Sequence, residues 1–476
     1  MRLTIPFAGP TQEDRAISVS SQKSVNMYAM AKKPGEKGRV VLYSDPGVLR
    51  LSSTAGTGPC RSNGLRWNEN TYFVSGGKLY KQDINQTITE IGSLLTSSSR
   101  CVLAGGVSYL MLTDGTYGYS YDGTTFAQIT DADFPTSPTH CAYLDGFFFV
   151  NFGGTGTFYK SASENPTSWT ALGFATAAAA PDDVLALEAT RKDLYIIGSE
   201  TTQPYYNSGN ADFPYEPYPG AIEVGIDAPY SLAFSSYGLF WLATNREGGK
   251  MIVNVSGMQF QVISDDELNW QMSKMTTTTD AYAWVRRQAG LTFYEITFPS
   301  EGKSYSYCVE AGPQIGWHER KSYVDDTLTR HRASGYWYLN NKHYVGDYTN
   351  GRLYELAFGT YTDDSNRFLR LRRTQIAHKD DLGIIVHGLY LDMEAGVGLI
   401  TGQGSDPNVM MRYSVDDGHT FSSELWRSPG AIGEFSTRPT WNGLGWGRSW
   451  MFEFSVSDPI NVIMKNLNAD VEVLPT

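Results

Sequence analysis

Residues 412–421, RYSVDDGHTF, hold Ser414, Asp416, Gly418, Thr420 and Phe421 at the spacing of an Asp-box. A carboxylate and hydroxyls set at such intervals hydrogen-bond the backbone of their own turn, and the aromatic residue packs beneath it. A carboxylate can also help cleave a glycosidic bond. That requires a second carboxylate about 5 to 9 Å away, or a Tyr nucleophile with an arginine cluster, and sequence does not place such groups. The box occurs once in full, because SYDGTTF, residues 120–126, is one residue short. The spacing predicts an architectural turn over 414–421 and no catalytic role for Asp416.

Other residues able to do chemistry are scattered. The seven histidines (His140, His318, His331, His343, His378, His387, His419) form no H-E-x-x-H motif and no close metal pair, so each is expected on the surface or in a strand. Cys60, Cys101, Cys141 and Cys308 show no C-x-x-C pairing. They predict free thiols and synthesis in a reducing compartment, not a zinc site or a disulfide framework. There is no G-x-x-x-x-G-K-[ST] loop and no G-x-S-x-G elbow, and Gly396-Val397-Gly398 does not extend to G-x-G-x-x-G. Acidic doublets recur at Asp182-Asp183, Asp265-Asp266, Asp325-Asp326 and Asp416-Asp417, with Asp131-Ala132-Asp133 beside them. Without a twelve-residue EF-hand frame these predict turns. The expectation is a non-enzyme with no catalytic residue, no cofactor and no metal.

Composition says what must carry such turns. The chain has 476 residues, 41% of them hydrophobic, which supplies real cores. Aromatic residues make up 13% and there are 48 glycines. Aromatics favour strands and Gly favours tight turns, so an all-β chain is predicted. The net charge of -12 gives no counterion-release affinity for a phosphate backbone. Sequence-specific nucleic-acid binding is therefore not expected, although DNA could slide past such a surface. MRLTIPFAGPTQEDR lacks the long apolar run of a signal peptide, and no run of about 18 apolar residues could cross a membrane. The sequons at Asn85 and Asn254 are then chance matches.

A unit of aromatic strand, turn and second aromatic strand repeats along the chain. Copies are TYFVSGGKLYK (71–81), YLMLTDGTYGYS (109–120), FFFVNFGGTGTFYK (147–160), DLYIIGSETTQPYY (193–206), GLFWLATNREGGKMIV (238–253), YAWVRRQAGLTFYEI (282–296) and HYVGDYTNGRLYEL (343–356). The anchors Tyr72, Tyr109, Phe147, Tyr195, Phe240 and Tyr282 fall 37 to 48 residues apart. That period, with strands only, is the spacing of propeller blades. About seven blades are predicted, within a range of six to eight. HRASGYWYL, KHYVG and GRLYELA would give the last blade three strands, with RVVLYSDPG (39–47) as the fourth. Thr349-Asn350-Gly351 is expected to supply a positive-φ hairpin turn. The predicted domains are an arm over 1–38, lying outside the ring, a propeller over 39–362 and a β-sandwich over 363–476.

The sandwich is read from IIVHGLYLDME, VMMRYSV, SSELWRS, TRPTWNG, WMFEFSV and NVIMKNLNADVEV. Between the domains Arg367, Arg370, Arg372 and Arg373 stand between Asp pairs. A solvated or interface strand is expected there, with a phosphate-facing stripe as the sharper alternative. The best helix candidate is DDELNWQMSKM, 265–275.

The order of short motifs resembles the packaged-DNA stabilisation proteins of short-tailed phages, also called tail hub or nozzle proteins. The resemblance rests on Ser24-Val25-Asn26-Met27-Tyr28, Ser44-Asp45-Pro46-Gly47-Val48, Ser75-Gly76-Gly77-Lys78-Leu79-Tyr80, Gly346-Asp347-Tyr348-Thr349-Asn350-Gly351-Arg352-Leu353-Tyr354 and the stretch 424–459. Where the family often has more basic residues, this chain reads Gly445-Trp446-Gly447-Arg448. The resemblance implies a structural protein of the virion tail, made in the host bacterial cytoplasm. It implies a homo-hexameric ring below the head–tail adaptor proteins that continues the channel for double-stranded DNA. Such a ring retains the packaged genome and holds tail fibres or tailspikes, with a tail needle as a further partner and no membrane anchor. The alternative is a glycan-binding or sialidase-like glycan-cleaving propeller. A sialidase propeller would carry several Asp-boxes at equivalent blade positions, and its pocket on the axis would be lined with Arg, Tyr and Glu.

Overall fold

Alternate side chains of a strand point to opposite faces, so one aromatic strand can fill two gaps between blades at once. In the strand Asn70–Ser75, Tyr72 and Val74 pack with Leu110 and Leu112 of the following blade. Phe73 points the other way and stacks on Trp337, ring centroids 4.4 Å apart. The computed structural model describes residues 1–476 except 34, 36–38, 178, 179, 181, 211, 246, 380, 381, 475 and 476.

Among the described residues seven small antiparallel sheets follow one another around a ring. Blades one to six span 65–93, 102–128, 141–176, 184–217, 225–262 and 282–319. The seventh is built from Ala333–Leu339, Lys342–Asp347, Arg352–Ala357 and, from far upstream, Gly47–Thr54. Each blade packs on the next, and Ala333–Leu339 closes the circle against blade one. In blades one to four the aromatic repeat supplies the second and third strands, in blade five the two that follow the short strands Gly225–Ile226 and Ala233–Ser235, and in blade six the first and second. The helix forms as Asp266–Ser273, started by Asp265, whose side chain accepts from the Leu268 N–H.

Ring closure differs from the expectation. The closing strand is Gly47–Thr54, while Val40–Ser44 pairs with Met27–Ala31 and Ile463–Leu474. Gly47 lets the chain enter the blade, because a Cβ there would lie 2.3 Å from the Thr360 carbonyl oxygen. The Thr349-Asn350-Gly351 turn also differs, since neither Asn350 nor Gly351 has positive φ. Asp347 closes the turn by accepting from the Thr349 N–H at 2.7 Å, and Gly351 is needed because a Cβ would meet Gly56 O at 2.2 Å. Positive-φ pairs occur instead at Asn68-Glu69, Asp325-Asp326 and Asn340-Asn341.

The segment expected as an arm outside the ring is woven into the sandwich. Arg2–Ile5 pairs with Ile463–Leu474, and Ser21–Val25 lies beside Arg370–Arg373. Ile5, Phe7, Met27 and Ala29 join the sandwich core, and burial of such side chains, worth roughly 1.5–3 kcal/mol for each large one, outweighs leaving them in water. All six C-terminal strands form, at Gly383–Met393, Val409–Ser414, Leu425–Arg427, Thr440–Gly447, Ser449–Val456 and Ile463–Leu474. They divide between two sheets whose inner faces enclose Leu389, Leu391, Trp441, Phe452, Phe454 and Leu467. One of these sheets is continuous with blade six. From Trp317–Glu319 the ladder passes through Ser21–Val25 to Arg370–Arg373 and Ser449–Val456.

Candidate functional site

Two residues of the short motifs meet at the joint between propeller and sandwich. Asn26 sits in the left-handed region, φ 54°, between the strands Ser21–Val25 and Met27–Ala31. Asn tolerates that conformation better than most residues. Its Nδ2 donates to Lys321 O at 3.0 Å and Leu369 O at 2.8 Å, and its Oδ1 accepts from the Lys321 N–H at 3.0 Å. Its backbone N–H donates to Glu319 O, and its carbonyl accepts from the Asp45 N–H. One side chain thus ties the exit of blade six to the entry of the second domain.

Asp45 lies where the chain leaves Val40–Ser44 for the closing strand, and it is fully buried. Oδ1 accepts from Arg286 Nη2 at 3.1 Å and lies 2.7 Å from Arg320 Nη1, an ion-pair contact whose angle is off that of a hydrogen bond. Oδ2 is 2.8 Å from His318 Nε2. Burial pushes this carboxyl up, but Arg320, His318 and Arg286 together outweigh burial and hold it well below the usual carboxylate range. Arg286 Nε also donates to Glu295, and Arg320 Nη2 lies 3.0 Å from His331 Nε2. Burial drives His331 well below the ordinary histidine range, and the Arg320 and Arg332 charges add to it. On the surface side Lys23 pairs with Glu319 at 3.2 Å and Glu13 at 3.3 Å. This arrangement fixes two domains and presents no nucleophile or open cavity.

The interdomain arginines are mostly not solvated. Arg367 is exposed, as expected, and lies over the Tyr323 ring. Arg370 and Arg372 are buried in the strand Arg370–Arg373. Arg372 donates to the carbonyls of Phe7 at 2.6 Å, Gly9 at 2.9 Å and Pro10 at 2.8 Å, and to Gln22 Oε1 at 2.6 Å. Arg370 donates to the carbonyls of Tyr361 and Asp458. Burial pushes both guanidinium groups down to about 9, so they remain charged at neutral pH. Arg373 is half-buried and pairs with Glu453, which also holds Arg412. Internal carbonyls and a carboxylate hold three of the four donors, so the strand is neither solvated nor a phosphate-facing stripe; of the expected forms it is an interface strand, at the joint between propeller and sandwich. Of the flanking Asp pairs, Asp363 and Asp364 are buried against Arg332. The pair at 380 and 381 falls outside the described residues.

The Asp-box forms its turn between Val409–Ser414 and Leu425–Arg427. Ser414 Oγ donates to Asp416 Oδ1 at 2.6 Å and accepts from the Gly418 N–H at 2.9 Å. Asp416 accepts from the Thr420 N–H at 2.9 Å and hydroxyl at 2.6 Å, and these bonds from Ser414 and Thr420 hold its carboxyl well below the usual range. Phe421 lies under Arg373 and Arg412.

The acidic doublets also serve turns. Asp182 accepts from the N–H groups of Glu200 and Thr201, Asp265 caps the helix, and Asp131 accepts from the Asp133 and Trp169 N–H groups. All four cysteines are free and buried. His318 and His343 are in strands, but His140 and His331 are buried outside them, against the expectation. Sequence reasoning passed over Asp45, Arg286, Arg320 and Asn26 as a group. Their signal was a charge inside apolar alternation, in YAWVRRQ and WHER, together with the two short motifs.

No curated protein matches the chain. Several solved structures have some likeness. The extracellular domain of a putative hybrid two-component system from B. thetaiotaomicron aligns at 11% identity and TM-score 0.45, over 77% of this chain and 43% of that one. The chain thus spans less than half of that protein. The Neurospora crassa Pan2 WD40 domain aligns at 9% identity and TM-score 0.40, over 66% and 96%. The N-terminal domain of Nup159 aligns at 10% identity and TM-score 0.39, over 71% and 99%. Family models match nearly the whole chain: bacteriophage P22 Gp10, beta-propeller, over residues 3–361, and bacteriophage P22 Gp10, beta-sandwich, over 370–472. With both domains matched in order, the chain belongs to the bacteriophage P22 Gp10 family of phage tail hub proteins and is a structural protein of the tail.

Proposed function

We propose that the chain assembles as a homo-hexameric ring below the head–tail adaptor proteins and continues the channel through which double-stranded DNA passes. The ring retains the packaged genome and anchors tail fibres or tailspikes, with a tail needle as a further partner. The observation that carries this reading is the ladder from blade six into the sandwich, locked by Asp45 and Asn26. A load at one domain reaches the other through hydrogen-bonded backbone, as a bracket requires. The net charge of -12 and the internal engagement of Arg370, Arg372 and Arg373 favour passage of DNA without capture. The buried free thiols suit assembly in a reducing host cytoplasm. No helix among the described residues is long and apolar enough to cross a membrane.

Negative-stain microscopy of the purified chain, alone and with the adaptor proteins, tests this reading. Six-fold rings are expected, and virions lacking the protein should have a shortened tail and leak their genome. A protomer that stays monomeric with its adaptor, or infectious particles without it, would overturn the proposal. Glycan cleavage is disfavoured because Asp416 is consumed by its own turn. A fluorogenic sialoside assay checks that directly.

A further inference from the structure

The innermost strands of blades five, six and seven, Ala233–Ser235, Tyr282–Gln288 and Ala333–Leu339, pack side by side around the ring axis. Near the C-terminal ends of these strands is an open cleft of about 630 Å³. Phe234 and Tyr338, from blades five and seven, stand in it 46% and 45% exposed. Half-exposed rings occur elsewhere on this surface, but here two of them line one cleft.

The polar groups there are incompletely used. The side chain of Arg287 is exposed, and its guanidinium makes no hydrogen bond or ion pair with the described residues. Tyr338 donates its hydroxyl to Oδ1 of the exposed Asn341 at 3.1 Å, and no hydrogen bond from the Asn341 Nδ2 donors is found among the described residues. Thr292, 1% exposed, lines the cleft with an Oγ1 that has no hydrogen-bond partner. Gln288 is committed internally, to Arg286 and the Leu356 carbonyl. None of the lining residues is a carboxylate.

We propose that this cleft binds an acidic saccharide, a pyranose ring bearing a carboxylate. The apolar face of a pyranose fits against an aromatic ring, and the planar guanidinium of Arg287 matches a carboxylate with two parallel N–H bonds. A chain of net charge -12 that leaves one guanidinium unpaired between two exposed rings favours an anionic ligand with an apolar face. The proposed site binds without hydrolysis, because the lining supplies neither a pair of carboxylates nor, beside its tyrosines, more than one arginine.

The test uses the full chain on an array of acidic and neutral oligosaccharides, followed by titration with a glucuronate-containing tetrasaccharide and with sialyllactose. Retention of acidic glycans over neutral ones is expected, with at least about tenfold weaker binding for Arg287→Ala and for Phe234→Ala. Arg287→Lys should recover only part of the loss. Both substitutions are at exposed positions, and ring assembly by microscopy reports separately on folding and on the hub reading. Absence of any acidic-glycan signal, binding unchanged in both variants, or preferential capture of acidic peptides by Arg287 would each overturn the proposal.

Discussion

Asp45 Oδ1 accepts a hydrogen bond from Arg286 Nη2 at 3.1 Å, across 241 positions of sequence, with both side chains fully buried. The pair joins the peptide that leaves the sandwich to the inner strand of blade six. Its strength is an argument about removal. Two charges cost much to desolvate, so the intact pair contributes little net stability, whereas a lone survivor is costly.

Asp45→Asn therefore leaves Arg286 and Arg320 buried without their shared counter-charge. A loss of about 3–5 kcal/mol is expected, read as a lowered thermal midpoint. A double-mutant cycle with Arg286→Met should show strong coupling. Additive effects would mean that the two residues act independently.

Gly47→Ala places a Cβ against the backbone oxygens of Thr360 and Thr362, at 2.3 and 2.6 Å. The closing strand must shift, at a cost of about 3 kcal/mol. Proteolysis should then enter the seventh blade under conditions where the parent chain resists. Gly77→Ala meets nothing closer than 3.6 Å and should melt with the parent chain.

Arg372→Met strands the carbonyls of Phe7, Gly9 and Pro10 without their donor. Burying unmatched acceptors costs about 1–3 kcal/mol, and the N-terminal segment should become accessible to trypsin at Arg15 and Lys23. Arg372→Lys should not rescue it, since an ammonium cannot span four acceptors. Arg367→Ala should change stability by at most about 1 kcal/mol. Salt dependence of any DNA association should be the same for both variants.

His140 stacks on Tyr230 at 5.3 Å, and burial pushes it down to about 4. Between about pH 4 and 6.5 the unfolded chain holds a proton here that the folded chain lacks, so stability falls as pH falls through that window. The slope from this residue is about 1.4 kcal/mol per pH unit. Burial pushes the carboxyls of Glu188 and Asp265 up to about 7 and 6, and these act in the opposite direction. The difference between parent and His140→Gln melting curves isolates the histidine, and parallel curves from pH 4.5 to 7 would refute its role.

By itself the sequence determined what local periodicity can encode. A strand's alternation states which side chains face each neighbour, so the aromatic units at 37 to 48 residues announced the blades. The Asp-box turn and the capped helix also formed as read, because their bonds close within a few residues. Only the tertiary structure decided the partners. Val40–Ser44 and Gly47–Thr54 are adjacent strands, and only their distant partners separate them: the first pairs with Met27–Ala31 and Ile463–Leu474, the second with Arg352–Ala357, where Gly47 fits against the Thr360 carbonyl. The arginines at 370 and 372 left a solvated and an interface strand equally open in sequence, because their acceptors at Phe7, Gly9, Pro10 and Asp458 are 88 to 365 residues away. A guanidinium is hydrophilic in any window of sequence, and it becomes part of a core only when distant backbone folds around it with matching carbonyls.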